Sequence, residues 1–250
     1  MKLKSSIRYQ LVSNRITVSI YYLIILAIYI FFTTVTVFAG EGNMSSMGST
    51  MVFIFVLGVT SFRETMEMML QNGVSRKTMF IAHLFTGAII SAFMAVIDRI
   101  LLLASRGILD SLNEQVNVRG ASTNTMFEAL YSTQNSNAAI QMFKEVCFDF
   151  FLTFAFFAIG YFIAIMFYRL NKLGKILVGA GVPSILFIIL PIINWAFPHL
   201  RIAENIMNFI DSAFGLSAGN PAMGMLTFTI IFAIFSTFAW LLLRRLALRK

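Results

Sequence analysis

Several apolar runs of about 20 residues lack any charged side chain, and a helix of that length crosses the hydrocarbon core of a bilayer. No soluble single-core domain tolerates that pattern. The apolar residues do not alternate with polar ones, so a transmembrane β-barrel is excluded as well. Of 250 residues, 58% are hydrophobic and only 12% are charged. The fold class expected is all-α, a polytopic membrane protein with a single transmembrane domain over residues 1–250. Six spans are expected, near residues 17–38, 49–62, 78–104, 143–168, 173–197 and 222–243. The first run is too long for a signal-peptide core and reads as a retained span.

The net charge of +8 is distributed around those spans. With the N-terminus inside, the inner segments hold four basic residues before span one and three after span two (Arg63, Arg76, Lys77). Three more follow span four (Arg169, Lys172, Lys175), and four lie in the tail, making 14 of the 19. Short loops rich in Lys and Arg face the cytoplasm, so both termini are expected there. The same placement argues against nucleic acid as the partner and for the lipid bilayer. Residues 1–16 carry Leu3, Ile7 and Leu11 on one stripe beside Lys4 and Arg8, the pattern of a cytoplasmic surface helix. Residues 105–142 form a polar outer loop. Residues 198–221 hold an outer amphipathic helix, with Ile202, Ile206, Phe209 and Ile210 on one face.

One stretch between spans reads as helix, turn, helix: residues 62–80, FRETMEMMLQNGVSRKTMF. Phe62, Met66, Met69 and Leu70 share an apolar face, and Glu64, Glu67 and Gln71 share a polar one. Asn72-Gly73 suits a left-handed helix end. Ser75 can cap the next helix, with Val74 and Met79 at the two positions of a hydrophobic staple. An apolar face outside the bilayer needs a partner, either this chain's own bundle or a soluble protein.

Inside the spans, His83, Gly87, Ser91 and Ala95 recur every four residues, a ridge that lets another helix approach closely. Gly160 and Ala164 form a second contact of that kind. His83 faces the bundle, either as a hydrogen-bonded structural group or as a functional one. Asp98 and Arg99 near the outer end are candidate interfacial anchors or a gate. Pro183 and Pro191 interrupt the fifth span and are candidate hinges. Eight phenylalanines between residues 148 and 167 crowd the fourth span, facing lipid or a cavity for amphipathic cargo.

The lone Cys147 permits no intramolecular disulfide, and no His/Cys cluster has metal-ligand spacing. The chain has no P-loop, so it does not itself cradle ATP in one. Gly215-Leu216-Ser217-Ala218-Gly219 matches G-x-S-x-G but lies in a loop between helices, not a strand–turn–helix elbow. An intramembrane hydrolase using Ser217 with His83 or His199 is the enzymatic alternative. A non-transporting membrane scaffold or immunity protein is another.

With Phe62, Arg63, Asn72, Gly73, Ser75, Arg76, Lys77 and Thr78 in place, the stretch resembles the loop between spans two and three of small bacterial type-2 ATP-binding-cassette (ABC) permeases. The resemblance extends to layout across the whole chain and to motif over about twenty residues. The outer loop is longer than that family's minimal pattern. The resemblance implies a non-enzymatic transport subunit in the bacterial plasma membrane. It would dimerise with a second copy or a paralogue, and a separate ABC ATPase subunit would bind the ATP and Mg. Residues 62–77 would then carry the coupling helix, with Phe62, Met66, Met69 and Leu70 filling a groove on the ATPase. Glu64 and Glu67 would meet basic groups at the rim of that groove, with Arg63 part of the same contact. The expected cargo is amphipathic or apolar: a peptide, a lipid or a drug-like molecule.

Overall fold

The computed structural model describes residues 3–39, 47–116, 125–131, 138–196 and 201–244. They form helices and turns, with no strand among the described residues. The long helices are α1 (Leu3–Ala39), α2 (Met47–Gln71), α3 (Arg76–Val116), α5 (Ala138–Arg169) and α10 (Pro221–Arg244). Short helices α4 (Met126–Leu130), α6 (Lys172–Ile176), α7 (Val182–Ser184), α8 (Leu190–Ala196) and α9 (Ile202–Phe214) connect or flank them.

Among the described residues, four helices are long and apolar enough to cross a membrane: α1, α3, α5 and α10. They are compatible with a multi-pass membrane protein, but they are fewer than the six expected spans. The expected second span supplies only a 15-residue apolar segment, Gly48–Phe62, at the start of α2. The expected fifth span is not one α-helix. It alternates α6, α7 and α8 with two π-helical turns, Leu177–Gly181 and Ile185–Ile189. Pro183 and Pro191 each follow a π turn closely, and both are exposed. A proline has no N–H to donate and its ring crowds the carbonyl four residues back, so the ladder must shift locally.

The boundaries of other segments also differ from the sequence pattern. Residues 3–16 are not a separate surface helix but the first turns of the unbroken α1. The polar segment after span three is partly helical, because α3 runs on to Val116 and α4 follows. Helix α4 is closed by a capping box, in which Glu128 N–H donates to the Thr125 hydroxyl and Thr125 N–H donates to the Glu128 carboxyl, both at 2.9 Å.

Helix α5 is the hub, packing against α2, α3 and α10, with α1 lying along α3. Two glycines let α2 and α5 meet backbone to backbone. A Cβ at Gly58 would run into the Phe157 carbonyl, and one at Gly160 into the Phe55 carbonyl. Gly160 was legible as a contact residue; its counterpart Gly58 was not. Backbone cannot yield as a flexible side chain does, so Gly160→Leu is expected to cost at least about 3 kcal/mol, the upper end for overpacking. Gly107 lies in a helix with open space around its Cβ position, and Gly107→Ala is expected to stabilise by about 0.5–1 kcal/mol. Melting curves in detergent check both, and equal melting of the two variants would remove the close-approach argument.

Candidate functional site

Two places concentrate chemistry: the turn between α2 and α3, and a charged cluster buried between helices. The turn follows the local code. Val74 N–H donates to the Met69 carbonyl (3.0 Å) and Gly73 N–H to the Leu70 carbonyl (3.1 Å), a Schellman closure with Gly73 at φ 70°. Ser75 Oγ then accepts from Thr78 N–H at 3.2 Å and caps α3. Val74 and Met79, the staple pair, are both buried in one cluster with Phe62, Met66 and Met69.

That cluster decides what the apolar face touches. Phe62, Met66 and Met69 are only 2%, 1% and 2% exposed. They pack against Tyr161 and Ile165 of α5 and Leu243 of α10, and Leu70 packs partly against the same group. The Phe62 ring stands edge-on to Tyr161 at 5.5 Å and to Tyr168 at 5.9 Å. The face expected to fill a partner's groove is therefore occupied by this chain's own helices, and that expectation is corrected. The side chains of Arg63, Glu64 and Glu67 lie outside the described residues. The turn exposes Met68, Gln71, Asn72, Gly73, Ser75 and Lys77. Two further ties hold it in place. Tyr9 of α1 donates its hydroxyl to Met68 Sδ at 2.6 Å, and Arg76 Nη1 donates to the Arg244 carbonyl at the end of α10 (3.1 Å).

His83 does point into the bundle. Its ring is stacked between Tyr161 (centroids 3.7 Å apart) and Phe157 (4.6 Å), and Nε2 has no hydrogen-bond partner among the described residues. The ridge beside it is buried as the spacing predicts. A Cβ at Gly87 would meet the Phe157 ring, while Ser91 and Ala95 are fully enclosed. Ala164 is partly buried beside the Phe62 cluster. Several α5 phenylalanines are packing residues, Phe148 and Phe157 in the core and Phe154 stacked on Phe232 at 4.0 Å.

No family model, curated protein or solved structure matches the chain.

The second place is built around Asp98 and Arg99, which are not interfacial anchors: both are buried. Successive residues on a helix point about 100° apart, so the two reach different neighbours. Asp98 accepts from the Tyr22 hydroxyl of α1 at 3.0 Å and also bonds Thr50 of α2. Thr50 and Ser49 are in turn held by the Tyr21 hydroxyl, at 2.8 and 3.2 Å. Arg99 forms an ion pair with Glu145 of α5, with both side chains enclosed. One turn further along α5, Asp149 is 8% exposed, and its Oδ1 has no hydrogen-bond partner among the described residues. Asp98, Glu145 and Arg99 all lie within its electrostatic reach. The charged groups thus lie on α3 and α5: Glu145 and Asp149 share the Arg99 guanidinium, while Asp98 turns to Tyr22 of α1 and Thr50 of α2. No group of His, Cys, Asp and Glu among the described residues is arranged to hold a metal ion.

Above this cluster, Arg106 Nη2 meets Glu128 at 2.5 Å and ties α4 to α3. Burial alone would raise the Glu128 carboxyl, but hydrogen bonds from Arg106 and the Thr125 backbone outweigh it and hold the group below its ordinary value. A depressed acid contributes stability that is complete above its unfolded value and is lost as pH falls through the folded one. Acidification through and below the ordinary carboxylate range is therefore expected to lower the melting temperature less in Glu128→Gln than in the parent. An identical acid response in both would remove that contribution.

The Ser217 alternative finds no support in the geometry. Ser217 is exposed in the α9–α10 turn, where its N–H donates to Asp211 Oδ1 at 2.9 Å. That turn lies at the Phe148 level of α5, because Phe214 and Phe148 both pack on Phe228. His83 lies at the Phe157 level, roughly 14 Å further along the helix at 1.5 Å per residue. His199 lies outside the described residues.

Proposed function

We propose that this chain is the membrane-spanning permease subunit of an ABC transporter, driven by a separate ATPase subunit that binds ATP and Mg. It would sit in a bacterial plasma membrane as a dimer with a second copy or a paralogue. Both termini would be cytoplasmic, with six membrane segments once the apolar half of α2 and the interrupted 172–196 run are counted. The observation that carries the reading is the capped, stapled turn between α2 and α3, whose sequence resembles the coupling loop of that family.

Burial of Phe62, Met66 and Met69 changes how such a turn would work. Contact with the ATPase would fall to the exposed tip, Met68, Gln71, Asn72 and Lys77. The buried face would then act as the transmission, because a push on the tip meets Tyr161 and Ile165 of the hub helix α5. Packed interiors move as units and do not deform smoothly. Helix α5 also carries Glu145 and Asp149, so the same motion reaches the charged cluster. The phenylalanine-dense α5 is what points to an amphipathic or apolar cargo; the resemblance alone leaves the cargo class open.

A single cysteine at the tip, Gln71→Cys in a Cys147→Ser background, tests placement and partner together. Impermeant reagents should label it only after the membrane is opened, and it should cross-link to an ATPase isolated with the native complex. Labelling from outside intact cells would sink the topology, and a native complex without any ATPase would sink the transport reading. The same burial favours a second reading, a non-transporting membrane scaffold, since the Phe62, Met66 and Met69 face of α2 is covered by this chain's own helices. That reading predicts the complex without an ATPase.

A further inference from the structure

We infer that the groove between α1 and α3 is a binding site for one anionic phospholipid, with Arg15 taking the headgroup phosphate. A cavity of about 220 Å³ lies there, lined by Leu11, Asn14, Arg15, Ser19, Ile89 and Phe93 among others. Its walls are mostly apolar, with Asn14, Arg15 and Ser19 as the polar groups. Ile89 and Phe93 are left largely uncovered by the chain itself. The volume falls short of the roughly 300–1,000 Å³ of a drug-sized pocket, and its shape suits part of a chain molecule lying between two helices.

Charge selects the occupant. Arg15 is exposed at the mouth and forms no ion pair among the described residues. Arg8 and Lys4 precede it by 7 and 11 residues along the same side of α1, equally without an ion pair among the described residues. Helix α1 contains no Asp or Glu, and the nearest acid after Phe93 on α3 is Asp98, which bonds Tyr22 and Thr50. A row of three cations leading into an apolar groove matches a phosphate joined to an acyl chain. A second copy of this chain is disfavoured, because a two-fold contact through the groove would set Arg15 against Arg15.

The test is native mass spectrometry of the full chain in mild detergent. It is loaded with phosphatidylglycerol or phosphatidylcholine of identical acyl chains. The parent should retain one phosphatidylglycerol in preference to phosphatidylcholine. Arg15→Gln should cut that preference about fivefold, the factor one cation contributes at an anionic lipid surface. Arg15→Lys should keep most of it. Lys175→Gln, an exposed cation outside the groove, should leave it unchanged. Ser19→Leu should fill the groove and reduce retention of both lipids. Equal retention of the two lipids by the parent would overturn the site. So would a preference that survives Arg15→Gln, or one that Lys175→Gln reduces equally. Displacement by soluble glycerol phosphate as effectively as by lipid would leave a bare phosphate site and overturn the lipid assignment.

Discussion

The double variant Phe62→Ala with Met66→Ala is expected to melt the helical bundle, not merely to detach a partner. Both side chains are almost fully enclosed, and both touch the cluster that joins α2 to α5 and α10. Truncating a buried Phe costs about 3–5 kcal/mol and a buried Met about 2–5, through lost contacts and the cavity left behind. The two neighbour one another, so the sum is not simply additive. Even the smaller single value is a large share of the stability of an ordinary domain, about 5–15 kcal/mol. The measurement is a detergent melting curve of the chain alone. A residue whose work is to fill a partner's groove would leave that curve unchanged. Gln71→Ala, on the exposed side of the same turn, should leave it nearly unchanged and should affect only ATPase retention. A double variant that melts like the parent would return the Phe62 face to the role of a docking surface.

The contrast between these variants marks where sequence stops being informative. The turn was legible residue by residue, because its determinants are local. Gly73 supplies the left-handed conformation, Ser75 the cap, and Val74 with Met79 the staple. The periodicity of Phe62, Met66 and Met69 also predicts an apolar face correctly. It does not say what covers that face, because the answer lies about 100 or more residues away, on Tyr161, Ile165 and Leu243. The same limit applies to glycines. Gly160 stands out in a span of large side chains, but its counterpart Gly58 is recognisable only once the two backbones cross. The interrupted helix between Lys172 and Ala196 was signalled by its prolines, while the π register they induce has no hydrophobic periodicity to announce it.

The charged cluster was half legible. Asp98 and Arg99 drew notice as adjacent ionisable residues near the end of a span. Glu145 and Asp149, spaced i, i+4 near the start of another, did not. That spacing was the available signal, since it places two acids on one side of a helix otherwise dense in phenylalanine. Adjacent in sequence, Asp98 and Arg99 look like a pair. On a helix they diverge, and each finds its partner on another element.

From that divergence follows an asymmetry. Arg99→Met is expected to destabilise the bundle by about 3–5 kcal/mol, because removing one partner strands the other charge in the interior. Glu145→Gln should cost less. Arg99 lies within electrostatic reach of Asp149 as well as Glu145, so the guanidinium keeps a counter-charge when Glu145 is neutralised. When Arg99 is lost, Asp149 keeps no counter-charge and Glu145 keeps only the weaker pull of Arg106, which is itself paired with Glu128. Replacing both ends of the pair, Arg99→Met with Glu145→Leu, should recover most of the loss, since apolar pairs of similar volume often match a buried ion pair. Adding Asp149→Asn to Arg99→Met should also recover part of it, by removing a second uncompensated acid. With the single variants Glu145→Leu and Asp149→Asn added, melting temperatures in one detergent complete both cycles. Should Glu145→Gln prove as damaging as Arg99→Met, the guanidinium serves Glu145 alone. If the double replacement then fails to recover stability, the geometry of the pair, and not its charge balance, is what α3 and α5 require.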